Sequence, residues 1–199
     1  MIEISQIFAL LFLMLGPFKI IGPFAKMTRD ADPKLTRQLA TRAIFFSVLA
    51  VLFASILGEQ ILAKYGIPVP ILAFAAGLIL FLVALQNVIQ QFAPPDTKHE
   101  PVAPTLQMAL NPLAFPTIIT PYGIAAVMVF MAISPDLRTK LIIGGIVIGI
   151  MLLNLATMLL TRHMGKLLFL ILSILGAILG VVQVSLGLLI MYNQLKLLV

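Results

Sequence analysis

The chain contains no cysteine and no tryptophan among its 199 residues. The absence of cysteine excludes disulfide bonds, thiolate metal ligands and thiol nucleophiles, and it leaves the redox compartment undetermined. Charged residues are also scarce: they form 10% of the chain against 61% hydrophobic residues, and the mean hydropathy is +1.15. A soluble domain could not bury that much apolar surface. The composition therefore indicates an integral membrane protein whose first partner is the lipid bilayer.

Sequence motifs of enzymatic chemistry are missing as well. There is no H-E-x-x-H, no G-x-S-x-G and no Walker A loop, and the two histidines, His99 and His163, fall between apolar stretches. We therefore expect no enzyme, no metal site and no cofactor. The net charge of +6 resides in short loops, where it is a signal of orientation rather than of nucleic-acid binding.

Six apolar stretches are each long enough to cross a bilayer, whose hydrocarbon core of about 30 Å takes roughly 20 helical residues. They predict an all-α, polytopic membrane protein. Met1 to Leu15 has no basic region and no small-residue cleavage site, so it is interpreted as the start of a retained span. The six stretches cover residues 4–27, 43–63, 67–92, 105–133, 140–161 and 166–192.

Lysine and arginine are divided unequally between alternate loops. The face with the first, third and fifth loops carries eight of them and the opposite face carries four. By the positive-inside rule, this excess places both termini outside. Most of it comes from the predicted first loop, which runs from Thr28 to Arg42.

Proline and glycine interrupt the first and fourth stretches near their middles. The first break runs from Gly16 to Pro23, and the second runs from Asn111 to Pro116 and on through Thr120-Pro121-Tyr122-Gly123. A proline inside a helix removes an amide donor and frees the carbonyl four residues earlier. Irregular backbone at membrane depth is tolerated only where it is buried in protein or lines a wet cavity. Paired breaks in corresponding spans are typical of a transporter's binding site.

The two halves of the chain share a spacing. Gly66 and Gly77 correspond to Gly165 and Gly176 at an offset of 99 residues, and the same offset relates Pro17 to Pro116. We therefore predict two three-helix repeats, residues 1–92 and 105–199, joined by a loop at 93–104. Because each repeat has an odd number of spans, the second copy must be inverted in the membrane.

Lys19 lies inside the first span, where the translocon scale assigns a cost of about 2.5–3.5 kcal/mol to a lysine. It could extend towards the inner interface. It could instead face a central cavity, either pairing with an anionic substrate group or acting as a tethered cation in place of a coupling ion. A third alternative is an ion pair. Glu59, the one acid in a span, lies near the outer end of the second.

The broken helices offer a binding site built largely from backbone. Half-helix N-termini suit a carboxylate, and half-helix C-termini suit an ammonium or a cation, so a zwitterion satisfies both. Prolines and threonines that merely bend helices are the alternative. Gln183 and Asn154 either join helices or line a path, whereas Gly176, Gly180 and Gly187 of the sixth span, like Gly145 and Gly149 of the fifth, are interpreted as packing residues. The candidate substrate-binding residues are Gly16, Pro17, Lys19, Gly22, Asn111, Pro116, Thr117, Thr120, Pro121, Tyr122, Gly123 and Gln183.

The stretch Pro112-Leu113-Ala114-Phe115-Pro116, followed by Pro121, resembles the P-L-A-I-P…G-P pattern of the MarC family, the UPF0056 proteins. The stretch from Gly16 to Phe24 resembles that family's D-P-F-G-N-I-P-I-F. It departs from the pattern at Gly16, Lys19 and Ile20, which stand where the pattern has aspartate, glycine and asparagine, and Pro23 falls one place late. The resemblance implies a prokaryotic inner-membrane protein of the LysE-type transporter superfamily, in which some members carry small neutral amino acids.

Together these features predict a secondary transporter for a small neutral amino acid or a related zwitterion or anion. It would work by alternating access around a site at the midplane. An anion channel lined by kinked helices and a non-transporting membrane scaffold are the alternatives. The sequence leaves open the solute, a coupled proton or cation, the direction of transport and assembly into a homo-oligomer.

Overall fold

The computed structural model describes residues 4–90, 104–134, 136–161 and 166–198, and every element within these ranges is helical. Between Thr105 and Thr120 the chain forms a 3₁₀ turn, Leu106–Ala109, and an irregular π-type segment, Leu110–Ile118. The seven α-helices of these ranges are α1 Ile4–Leu15, α2 Phe18–Met27, α3 Pro33–Tyr65, α4 Val69–Gln90, α5 Pro121–Ile133, α6 Leu137–Leu160 and α7 Lys166–Leu198.

The number of membrane spans agrees with the sequence. Five stretches in the described part of the chain are long and apolar enough to cross a membrane as single spans, α1 and α2 together forming the first. The bent pair of Leu106–Ile118 and Pro121–Ile133 makes a sixth. The prediction of an all-α polytopic membrane protein is thus confirmed. The inverted repeat stays a prediction, and the connecting loop at 93–104 lies almost wholly outside the described residues.

One predicted boundary is wrong. The stretch from Thr28 to Arg42 was expected to be a loop, but α3 already begins at Pro33 and continues for 33 residues to Tyr65. Proline is favoured at the first helical position because its missing amide has no partner there in any case. At 1.5 Å per residue α3 is about 50 Å long. Its basic first turns therefore extend beyond a hydrocarbon core of about 30 Å.

The helix ends carry recognisable local signals. Gly66 follows α3 with φ of +60°, and the amide of Ile67 donates to the carbonyl of Leu62 at 3.1 Å. This is the Schellman arrangement, which favours glycine because other residues rarely adopt a left-handed φ. Thr120 caps α5 by accepting from the amide of Gly123, and Asp136 caps α6 by accepting from the amide of Thr139.

The two breaks differ in geometry. At the first, Pro17 keeps right-handed helical angles, and α1 and α2 together still form one span. Gly16 is required there because a Cβ would collide with the carbonyl oxygen of Phe12. At the second, Asn111 and Phe115 leave helical angles and the chain turns by 62° before α5. The first is therefore a kink and the second is a true break.

The first broken helix occupies the centre of the fold. Leu11, Leu15, Ile20 and Phe24 are fully buried in the hydrophobic core, where α1 and α2 contact α5, α6 and α7. Their large side chains therefore anchor the break inside protein rather than in lipid.

α4 and α7 pack closely together. A Cβ added at Gly187 would lie 2.8 Å from the backbone nitrogen of Phe81 and 2.9 Å from the carbonyl oxygen of Gly77. Further along, a Cβ at Gly180 would approach Val88 at 3.3 Å. Residue numbers rise along one helix while they fall along the other, so the pair is antiparallel. The interpretation of Gly187 as a packing residue fits this backbone contact.

This contact predicts opposite effects for two glycine substitutions. Gly187→Ala should lower the melting temperature, because backbone atoms at 2.8 and 2.9 Å cannot yield and overpacking costs about 1–3 kcal/mol. Gly149→Ala, on an exposed face of α6 with nothing within 4 Å, should raise it slightly, since alanine is the better helix former by about 1 kcal/mol. Thermal unfolding in detergent measures both. Equal melting temperatures would contradict the described packing of α4 on α7.

Candidate functional site

Three consecutive carbonyls at the end of α1 each receive a side-chain donor. Gln183 of α7 donates to the Leu13 oxygen at 2.6 Å, and Asn154 of α6 donates to the Leu15 oxygen at 2.8 Å. Lys19 of α2 donates to the Met14 oxygen. Pro17 has no amide with which to bond the Leu13 oxygen. The kink is thus completed by side chains from three different helices.

Lys19 turns towards α1. Its ammonium binds the carbonyl of Met14 and lies over the ring of Tyr122, 5.5 Å from the centroid, within the range of a cation–π contact. The nearer end of the span is at Met27, in the opposite direction. The Lys19 side chain is therefore directed away from the inner interface. The acids whose side chains the structure describes, Asp30, Asp32 and Asp136, all lie in loops.

A cavity of about 600 Å³ lies beside this kink. One wall is the first break, with Gly16, Lys19, Gly22 and Pro23, and the facing wall is α7. Lys19 is the only charged residue among the described residues that line it, and Gln183 and Asn87 supply amides. The volume is within the range of small-molecule sites, about 300–1,000 Å³. A positive, amide-lined cavity of this size can hold a small solute with a negative group.

The cavity is wide because small residues line its far wall. Gly176, Ala177 and Gly180 of α7 face it, and a Cβ added at Gly176 or at Gly22 would meet no described residue within 4 Å. The interpretation of this glycine face as packing therefore applies at Gly187 but not at Gly176. It does not apply to Gly145 and Gly149 of α6 either, since an added Cβ there would meet nothing within 4 Å among the described residues. The sequence placed Gly22 and Gln183 at the site and missed Gly176 and Asn87. Asn87, an amide near the C-terminal end of an apolar span, was the available signal.

The predicted site residues fall into two groups. Gly16, Lys19, Gly22 and Gln183 line the cavity, and Pro17 is buried at the kink next to it. The residues of the second break do not line it. Of these, Tyr122 and Gly123 are buried against the kink: the ring of Tyr122 lies under the Lys19 ammonium, and a Cβ at Gly123 would approach Leu15 at 2.5 Å.

The remaining candidates of the second break have local roles in the structure. Thr117 donates to the carbonyl of Pro112 at 2.8 Å, and Thr120 caps α5. Asn111, Pro116 and Pro121 are exposed on the surface of the protein. The two breaks therefore touch, but the described cavity is formed by the first break with α4 and α7.

Asn154 of α6 is a buried polar residue that contacts the kink. It is 1% exposed, its amide nitrogen binds the Leu15 carbonyl, and its Oδ1 has no hydrogen-bond partner among the described residues. A buried acceptor without a donor is uncommon in native proteins and calls for an explanation. Asn154 therefore joins α6 to the kink and also presents a free oxygen beside it.

The whole chain, residues 1–199, matches the model of the family described as MarC family integral membrane protein. It is 34% identical over 139 residues to a UPF0056 membrane protein of Methanocaldococcus jannaschii, covering 68% of this chain and 67% of the relative. It is 25% identical over 142 residues to the UPF0056 inner membrane protein YhgN of Escherichia coli K12, covering 71% of each. No solved structure matches the chain at a significant level.

The donors at the kink predict an effect on stability. Asn154→Leu should lower the melting temperature, because it leaves the Leu15 carbonyl without its donor and an unsatisfied buried group costs about 1–3 kcal/mol. Thr157→Val on the same helix is the control, since that hydroxyl binds only the Leu153 carbonyl of its own helix. Thermal unfolding of both variants in detergent measures the difference. An Asn154→Leu protein as stable as Thr157→Val would show that the kink does not depend on this bond.

Proposed function

The chain belongs to the MarC family of integral membrane proteins, and on that premise we propose that it is a secondary transporter for a small solute bearing a carboxylate. The single observation that carries this proposal is the cavity of about 600 Å³ with Lys19 as its one charged lining residue among those described. Both a small amino acid and a small organic acid have the required group. The family match alone names no solute and no transport activity.

The chemistry of the cavity supports a negative group in the solute. A lysine ammonium has three N–H donors; one is directed to the Met14 carbonyl, and others remain for a ligand. Asn87 and Gln183 add amide groups on the facing helices. Hydrogen bonds to a charged partner are about twice as strong as neutral ones. A carboxylate held by Lys19 and these amides is the ligand that fits this set of groups best.

The location of the cavity supports transport rather than a purely structural role. It lies at a kink within a span, between the first broken helix and the α4–α7 pair, and its walls belong to both halves of the chain. Transporters with inverted repeats bind their solutes at such interfaces and move one repeat against the other. Alternating access by the halves 1–92 and 105–199 is therefore part of the proposal. The proposal also includes an inner-membrane location with both termini on the outer side.

Uptake into liposomes tests the proposed function. We expect the purified protein to take up labelled small amino acids or organic acids with saturable kinetics, faster when the same solute is loaded inside. An anion channel would instead give a voltage-driven current without exchange, and a scaffold would give neither. Gly176→Leu, which fills the cavity wall, should reduce uptake to the level of empty liposomes. Gly149→Leu, on the exposed face of α6, is the matched control and should transport normally.

The role of the ammonium is tested by Lys19→Ala. The solute concentration for half-maximal uptake should rise about tenfold or more, because a hydrogen bond to a charged group contributes about 1.5–3 kcal/mol. Lys26→Ala is the control, since Lys26 is on the same helix but exposed and outside the cavity. Uptake kinetics for a carboxylate solute and for its amide derivative measure the effect. If Lys19→Ala and Lys26→Ala both had the wild-type solute concentration for half-maximal uptake, for the carboxylate solute and for its amide, Lys19 would not bind the carboxylate.

A further inference from the structure

The carbonyl end of α1 is built like a cation site. The oxygens of Leu13, Met14 and Leu15 follow one another at the end of a helix, where the backbone dipoles concentrate partial negative charge. In broken-helix transporters such half-helix C-termini and unwound carbonyls coordinate monovalent cations. Here the Met14 oxygen is bound by the ammonium of Lys19. The Lys19 ammonium, which is itself positively charged, thus lies where a cation would bind.

The side chain of Asn154 contacts the same stretch of backbone. Its Nδ2 donates to the Leu15 carbonyl, and its Oδ1 has no hydrogen-bond partner among the described residues, the Lys19 ammonium included. The residue is 1% exposed. An acceptor buried to this degree needs a donor or a cation nearby. All the oxygens are neutral, and divalent cations favour carboxylates, so this donor set suits a monovalent cation.

Lys19 does not stabilise its own helix electrostatically. It is the second residue of α2, and a positive charge in the first turn of a helix is unfavourable because the N-terminus is the positive end. Its two described contacts, the Met14 carbonyl and the face of Tyr122, both belong to other elements and both attract cations. The ammonium is therefore positioned by the end of α1 and by α5.

We propose that the ammonium of Lys19 is a tethered substitute for a free monovalent cation at a site formed by the Met14 and Leu15 carbonyls and Asn154. The site then needs no Na⁺ or K⁺ while Lys19 is present. Removing the side chain should leave the oxygens free and create a cation-binding site that the wild-type protein lacks. This inference concerns cation binding and goes beyond the proposed transport of a carboxylate solute.

Lys19→Ala tests the proposal by thermal unfolding in detergent, with NaCl or KCl replacing choline chloride at constant ionic strength. Binding to the native state raises the melting temperature. We expect a saturable rise of about 3–6 °C at roughly ten times the dissociation constant. Lys19→Met is the matched control: it removes the charge but fills the space, so it should show no rise, and neither should the wild-type protein.

Two results would overturn the proposal. One is a Lys19→Ala protein that responds to Na⁺ and K⁺ no more than Lys19→Met. The other is an equal response in the wild-type protein, which would put the cation elsewhere. Because the assay needs no transport, a negative result here is separate from a failure of uptake by the wild-type protein.

A second comparison decides the question if Lys19→Ala does not fold. A tethered cation requires charge, so Lys19→Arg should keep the wild-type melting temperature while Lys19→Gln, which retains an N–H donor without charge, should lose several degrees. If the cost of burying the charge dominated, Lys19→Gln would be at least as stable as Lys19→Arg. That order would exclude a tethered cation.

Discussion

A carbonyl freed inside a bilayer must find a donor within the protein, because hydrocarbon offers none. Pro17 frees such a carbonyl near the middle of the first span, and much of the described site consists of side chains that donate to the carbonyls around it. Gln183, Lys19 and Asn154 come from α7, α2 and α6 to bind three successive oxygens of α1. The same convergence fixes the position of the cavity, since two of these donors also line it. The kink therefore organises both the packing of the helices and the polar groups that line the cavity.

The transmembrane helices could be predicted from the sequence because hydropathy is a local property. Each of the six stretches is recognised from its own residues, and the described helices follow them closely. The predicted boundary before α3 was wrong for the same reason: hydropathy marks where a helix enters lipid, not where the helix begins. Pro33, which opens α3, was the available local signal. The charges that follow it belong to a helix that continues into water.

The site was only partly predictable because its assembly is not local. The first break, with Lys19 and Gly22, was visible in the sequence as a run of proline, glycine and lysine. That α7 would face it, and that the glycines there would bound a cavity instead of a close contact, depends on how distant segments pack. The second break has a different place in the structure. Its prolines resemble those of the first, yet Asn111, Pro116 and Pro121 are exposed, and the break contributes Tyr122 and Gly123 as support for the kink.

Two parts of α7 have different roles in the packing. Near its C-terminal end Gly187 fixes it against the backbone of α4, and eleven residues earlier Gly176 borders the cavity, a separation of about 16 Å along the axis. Between them, the hydrogen bond of Gln183 holds α7 to the kink. A Cβ at Gly180 would also approach Val88 of α4 at 3.3 Å, so α7 packs on α4 on both sides of Gln183. If a carboxylate displaced the Leu13 carbonyl from Gln183, the amide side chain would be released while the backbone of α7 stayed in place against α4.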